Sequence, residues 1–265
     1  MSALTPLGLA TLLAVFGYAV GMLLPAERRG GLQGGLGLAW FAHAAAIAVD
    51  VAGLGQAVTG ARFGFAPALS VTVWLVLGVY LLESRFLPLD GLRRALALLG
   101  IAATLLAWIY PGEIRPALAS RWIPLHWVLG IASYGLFGAA VLHATLLNRA
   151  DRRMRVNRQP APMLGLPLLR LERLTYRFVE AGFVTLTAAV LLGWWFASPW
   201  RWDHKSVFSL LGWSVFAGLV VGRRVSGWRG PAATRWLYVG AGLLLLAYVG
   251  SRFVLEVLLH RPPAP

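Results

Sequence analysis

Residues 123–147, IPLHWVLGIASYGLFGAAVLHATLL, decide the fold class of this sequence. The stretch contains no Asp, Glu, Lys or Arg. It is also longer than the roughly 20 apolar residues that a helix needs to cross a bilayer. It lacks the alternation that is typical of membrane β-strands. Because a segment in lipid must satisfy its own backbone hydrogen bonds, the stretch predicts a transmembrane helix.

Similar apolar runs fill most of the 265 residues, of which 58% are hydrophobic and 13% are charged. This composition predicts an all-α, polytopic membrane helix bundle, with one transmembrane domain over residues 1–265 and about eight helices. A Gly-rich segment, 53–64, leaves a re-entrant loop open as an alternative for part of the second and third runs. The predicted spans are 5–24, 36–58, 67–82, 95–110, 123–147, 179–197, 207–222 and 236–259.

The loops between the spans carry positive charge asymmetrically. Of the 24 Lys and Arg residues, 17 fall in the odd-numbered loops and 5 in the even-numbered loops. Basic residues accumulate on the cytoplasmic side of membrane proteins, so both termini are predicted to face the outer side. The same distribution accounts for the net charge of +14 without a nucleic-acid partner.

The longest of these loops contains a segment with helical periodicity. Over residues 166–178, basic and apolar residues recur on opposite sides of a helix: Arg170, Arg173 and Arg177 against Leu171, Leu174 and Phe178. Such a segment is either an amphipathic helix on anionic cytoplasmic lipid or the beginning of the sixth span. The sequence leaves both interpretations open.

Five histidines stand out against the apolar background. The predicted orientation places His126, His204 and His260 at the outer surface, and His43 and His143 within spans, at comparable depth in the cytoplasmic half. His126 and His143 lie about 25 Å apart along one helix, so they cannot share a ligand. Imidazole in a membrane is costly unless it is paired. The two intramembrane histidines therefore either bind a cofactor or make interhelical hydrogen bonds.

The sixth loop, on the predicted outer side, is rich in tryptophan. Residues 193–205 read GWWFASPWRWDHK. Seven of the twelve tryptophans lie near the outer face, whereas an ordinary aromatic belt enriches both interfaces. The excess predicts a platform for a flat, apolar, anionic ligand, with aromatic rings on its faces and basic groups at its carboxylates. Haem has these properties.

Polar residues also recur in the last span. Arg252, Glu256 and His260 are four residues apart and therefore share one helix face. They either contribute to the outer ligand site or form an i,i+4 salt bridge whose side chains reach toward the interface. His43 and Asp50 also share a face, but a gap of about 10 Å requires an intermediary between them.

Three segments resemble the cytochrome c assembly proteins of the haem-handling CcsA/CcmC/HemX-like group. They are HWVLGIASY at 126–134, WRWDHK at 200–205, and YVGSRFVLEVLLH at 248–260. The second resembles the tryptophan-rich WWD signature of the family. The resemblance extends over residues 36–260 and is greatest to short, eight-span members of the bacterial inner membrane.

The resemblance implies a non-covalently bound haem b at the outer surface. His126 and His260 would be the axial ligands of its iron, above a platform formed by Trp200, Trp202 and Asp203. The implied partners are haem, the lipid bilayer and other cytochrome c biogenesis proteins.

Four further residues belong to this predicted haem-binding set. His204 stands where the family has proline, so the platform is altered or offers a ligand of its own. Arg252 would meet the carboxylates of the ligand. His43 and His143 are candidates for ligating a second haem within the membrane.

The leading functional prediction is a haem-binding membrane protein that holds or passes haem in cytochrome c maturation. No enzyme is expected, because the sequence has no cysteine and no evident nucleophile–base pair. One alternative is a haem-free transporter component whose polar path includes Asp50, Arg252 and Glu256. Another is an accessory subunit that packs against a membrane partner through small residues such as Gly130, Gly135 and Gly138.

Overall fold

The computed structural model describes residues 5–23, 29–53, 61–84, 90–115, 122–157, 168–196 and 202–259. In these ranges, eight helices are long and apolar enough to cross a membrane. The chain is therefore a multi-pass membrane protein, and the predicted all-α helix bundle is confirmed. Two compact units divide it, Met1–Ala119 (unit 1) and Ser120–Pro265 (unit 2). The single transmembrane domain expected from the sequence stays a prediction.

Unit 1 consists of four long helices and two short strands. They are α1 (Pro6–Leu23), α2 (Arg29–Val51), β1 (Ala61–Phe63), α3 (Phe65–Ser84), α4 (Asp90–Ile109) and β2 (Glu113–Arg115). The helices α1 and α2 pack closely because Gly17 faces Ala39, where an added Cβ would lie only 2.8 Å from the alanine Cβ. Small residues at such contacts are what brings membrane helices together.

The second helix lies earlier in the chain than the sequence predicted, at Arg29–Val51 rather than 36–58. α2 ends at Val51 rather than at 58, because Gly53 takes a left-handed conformation with φ 64° and stops the helix. Residues 54–60 lie outside the described part of the chain. β1 follows and pairs antiparallel with β2, with Arg62 opposite Ile114. The pairing joins two even-numbered loops, which the charge distribution assigns to the same side of the membrane.

Unit 2 is built from two helical hairpins. Its elements are α5 (Ile123–Asn157), α6 (Leu168–Phe196), α7 (His204–Ser226), α8 (Gly230–Leu245), a first π-helical segment (Leu246–Gly250), α9 (Ser251–Phe253) and a second π-helical segment (Val254–Leu258). The core includes Phe137 of α5 stacked on Phe216 of α7, with ring centroids 3.7 Å apart.

The start of α6 resolves the two interpretations of the basic segment 166–178. α6 is one continuous helix from Leu168, so the segment is the beginning of the sixth span rather than a separate surface helix. Its two faces are as the periodicity predicts. Arg170, Arg173 and Arg177 are exposed, and Leu171 is buried.

Candidate functional site

His126 lies near the start of α5, with its imidazole ring turned toward α6. Its Nδ1 lies 2.9 Å from the carbonyl oxygen of Ala189 and donates a hydrogen bond to it. A neutral ring that donates through Nδ1 keeps a lone pair on Nε2. In the described ranges, that Nε2 has no hydrogen-bond partner. Proteins present histidine to metals in this way, with one nitrogen held by a carbonyl and the other directed at the metal.

The ring of His126 fits over a glycine. A Cβ at Gly193 of α6 would lie 2.9 Å from Cε1 of His126 and 3.7 Å from its Nε2. The absence of a side chain therefore makes the space that the imidazole occupies. The only sign of this role in the sequence is the position of Gly193 directly before Trp194.

A cation and an aromatic ring lie at the same end of unit 2. The charge of Lys205, in the first turn of α7, acts on the imidazole of His126. Its ammonium nitrogen lies 5.8 Å from the ring centroid of Tyr248. Together these groups combine a nitrogen lone pair, a positive charge and an aromatic face, which suit the iron, the carboxylates and the flat ring of a haem.

Tyr248 belongs to the first π-helical segment, which interrupts the last span. Directly before that segment, the carbonyl of Leu244 accepts a hydrogen bond from the hydroxyl of Tyr134. This bond ties the interruption to α5, the helix that carries His126. π-Helical interruptions of α-helices occur frequently at functional sites.

The WWD-like loop, residues 200–205, is described only from Trp202 onward. The Trp202 side chain is 74% exposed. Asp203 caps α7, since its carboxylate accepts a 2.7 Å hydrogen bond from the backbone nitrogen of Ser206. His204 is the exposed first residue of that helix. The predicted roles of Trp200 and His260 fall on residues outside the described ranges and stay predictions.

Arg252 and Glu256 form the ion pair that was one of two interpretations of the last span. Nη1 of Arg252 lies 3.8 Å from Oε1 of Glu256, and the two side chains are only 17% and 14% exposed. The predicted contact of Arg252 with ligand carboxylates stays a prediction, and it would compete with this pair.

His43 sits in a closed hydrogen-bond network in unit 1. Its Nδ1 lies 3.0 Å from the hydroxyl of Tyr18, and its Nε2 lies 2.8 Å from the hydroxyl of Ser70. The side chain is fully buried. With both nitrogens bonded, this arrangement supports interhelical hydrogen bonding. Ligation of a second haem by His43 stays a prediction, and it would displace one of these two bonds. α2 begins at Arg29, so His43 also lies at the middle of the span Gly34–Ala52 rather than in its cytoplasmic half.

His143 lies in unit 2 and is also buried. Its Nδ1 donates to the carbonyl of Ala139 over 2.7 Å, and its ring lies 5.1 Å from that of Phe178. The role of His143 in ligating a second haem stays a prediction. Among the described side chains, no three His, Asp or Glu residues gather to hold a bare metal ion.

Comparison with known proteins gives two consistent findings. The family model described as cytochrome C assembly protein matches residues 56–259. The chain is 22% identical over 223 residues to the cytochrome c biogenesis protein CcsA of Prochlorococcus marinus, covering 71% of both chains. It is 29% identical over 168 residues to the inner membrane protein YpjD of Escherichia coli, covering 62% of this chain and 63% of that protein. No solved structure matches it.

Proposed function

The chain belongs to the cytochrome c assembly protein family, and from this premise we propose that it binds haem through His126 and holds or passes it during cytochrome c maturation. A role in cytochrome c biogenesis follows from the family match and the CcsA relatives. The eight apolar helices and the YpjD relative make it a multi-pass protein of the inner membrane.

The geometry of His126 carries the proposal. His43 shows the contrasting arrangement, with both nitrogens hydrogen-bonded to side chains of neighbouring helices. In His126 the Ala189 carbonyl holds Nδ1, so the ring is oriented while Nε2 keeps its lone pair. Fixing the ring in advance removes the cost of orienting it when the ligand arrives.

The neighbouring groups have distinct tasks in this proposal. Haem would supply an iron that imidazole can ligate and a pair of carboxylates. The Nε2 of His126 would hold the iron, and His260 is proposed as a further ligand. Lys205 would meet a carboxylate as a charge-assisted donor. The exposed indole of Trp202 offers an aromatic surface at the same helix start.

We also propose that the protein binds and transfers its ligand without catalysing a covalent step. His126 has the cation of Lys205 and the aromatic ring of Tyr248 at the same end of unit 2. Groups of these kinds orient a cofactor and neutralise its charge. Partners that deliver or accept haem would then act at the same end of unit 2.

The test is the visible absorption spectrum of the purified protein in detergent, after haem is added, in oxidised and reduced forms. We expect a Soret band with sharp reduced α and β bands in the natural protein. We expect the bands to shift or disappear in His126→Ala and in a His126→Ala/His260→Ala double variant. Ser214→Ala is the control, because Ser214 is an exposed residue of α7 whose hydroxyl donates to the Leu210 carbonyl of its own helix. Absence of a Soret band in the natural protein, or equal loss in the control, would contradict the proposal.

A further inference from the structure

A small cavity in unit 1 has a wall with several polar groups. Its volume is about 20 Å³, and roughly 10–15 Å³ is enough to hold one water molecule. All four long helices of the unit line it, including Thr11 of α1, Asp50 of α2, Ser70 of α3, and Thr104 and Trp108 of α4. A water molecule occupies a space of this size where polar groups on the wall can hydrogen-bond to it. Haem cannot enter a space of this volume.

Trp108 points to an occupant of the cavity. Its indole Nε1 is buried, and no hydrogen-bond partner for it exists in the described part of the chain. A buried donor left without an acceptor costs about 1–3 kcal/mol. A water molecule in the cavity would accept this bond and could donate in turn to the carboxylate or to a hydroxyl.

Asp50 is the acidic group of this wall. It is 5% exposed and lies next to the last residue of α2, where the helix dipole disfavours negative charge. Its charge partner is Arg62 of β1, and Nη1 of the arginine is 3.5 Å from Oδ1. This distance is at the limit of a hydrogen bond. A carboxylate inside a membrane span is costly unless it is well paired or protonated.

The other groups around Asp50 decide which ligand suits the cavity. The described lining residues of α1, α3 and α4 carry no formal charge. Arg62 is the facing cation, and Glu113 of β2 lies beside it in the ladder, opposite Phe63. Ser70 lines the cavity and is hydrogen-bonded to His43, which is hydrogen-bonded in turn to Tyr18. A metal cation is disfavoured, because Arg62 already supplies a positive charge to this carboxylate.

We propose that this cavity is a proton-binding site, in which Asp50 takes up one proton and a water molecule held by Trp108 accepts the hydrogen bond of the resulting carboxylic acid. The carboxylate and a hydronium ion give the acid and one water molecule, so charge and atoms balance. Protonation ends the Asp50–Arg62 ion pair. The site does not depend on haem, so the protonation of Asp50 in unit 1 is separate from the haem binding proposed for His126.

The experiment is pH-difference infrared spectroscopy of the full-length protein in lipid nanodiscs without added haem. On acidification we expect a carboxylic-acid C=O band that is absent in Asp50→Asn and unchanged in Asp151→Asn. If no such band depends on Asp50, the proposal is overturned. A site that binds a metal cation would instead respond to sodium chloride at constant pH. The proposal is therefore also overturned if this salt produces the spectral change that acid produces.

A matched threonine pair tests the cavity itself. Thr104 and Thr72 each donate to the carbonyl four residues earlier, over 2.7 and 2.8 Å, but only Thr104 lines the cavity. We expect Thr104→Val and Trp108→Phe to shift the frequency of the acid band, and Thr72→Val to leave it in place. These variants keep the proposal testable if Asp50→Asn does not fold. Equal shifts in Thr104→Val and Thr72→Val would overturn it.

Discussion

At Gly193, a single added carbon would collide with the imidazole that we propose as a haem ligand. The Cβ of an alanine would lie 2.9 Å from Cε1 of His126. We expect Gly193→Ala to displace the ring and to weaken haem binding about 10- to 100-fold, the range typical for residues that orient a metal ligand. Titration of the purified protein with haem measures this change.

Gly218→Ala is the control for that variant. Gly218 lies in α7, and no described atom lies within 4 Å of the position that a Cβ would take there, so the added methyl group meets open space. Its haem affinity should match that of the natural protein. If Gly193→Ala binds haem as tightly as Gly218→Ala, the ring of His126 does not need the position that the structure shows.

Individual residues differ in how far sequence reveals their roles. The position of His126 near the start of a span could be predicted from the apolar run that follows it, whereas its role as a ligand is implied by the family resemblance and stays a prediction. The partners of His43 could not be predicted, since Tyr18 and Ser70 lie on other helices. Sequence shows that a histidine is within the membrane, but only packing shows which groups saturate its nitrogens. The same holds for Ala189, which contributes a backbone oxygen that any residue would supply.

At the scale of elements, Asp203 has a role in the start of α7. Its carboxylate accepts from the backbone nitrogen of Ser206, so Asp203→Ala should destabilise the first turn by about 1 kcal/mol. Asp203→Asn should be nearly neutral, since asparagine is an equally good cap. Hydrogen exchange of residues 204–207 measures the difference. Equal exchange in the alanine and asparagine variants would contradict the capping role.

Hydropathy located the spans, but it did not locate all of their ends. α5 continues to Asn157 and α6 begins at Leu168, well into the basic loop, because arginines are good helix formers outside the bilayer.

The tryptophan contact between α2 and α3 could not be predicted from the sequence. The indole nitrogens of Trp40 and Trp74 each donate to the backbone carbonyl of the other residue, over 2.9 and 3.0 Å. Such reciprocal contacts depend on the register of two packed helices.

At the scale of the whole molecule, the charge asymmetry predicts the orientation in the membrane. A periplasm-active reporter fused after His260 should be active, and a reporter inserted between α5 and α6 should report the cytoplasm. The β1–β2 pairing agrees with this topology, because both strands lie in loops assigned to one side. Cytoplasmic activity of the C-terminal reporter would place His126 and the WWD-like loop on the inner side.

Haem ligation by His126 is the central claim, and chemical rescue tests it most directly. Removing the imidazole in His126→Gly leaves space into which free imidazole fits as a replacement ligand. We predict that this variant loses the low-spin spectrum of the haem-loaded protein and that added imidazole restores it. A low-spin spectrum in His126→Gly that is unchanged with or without imidazole would show that another residue ligates the iron, and it would contradict the account.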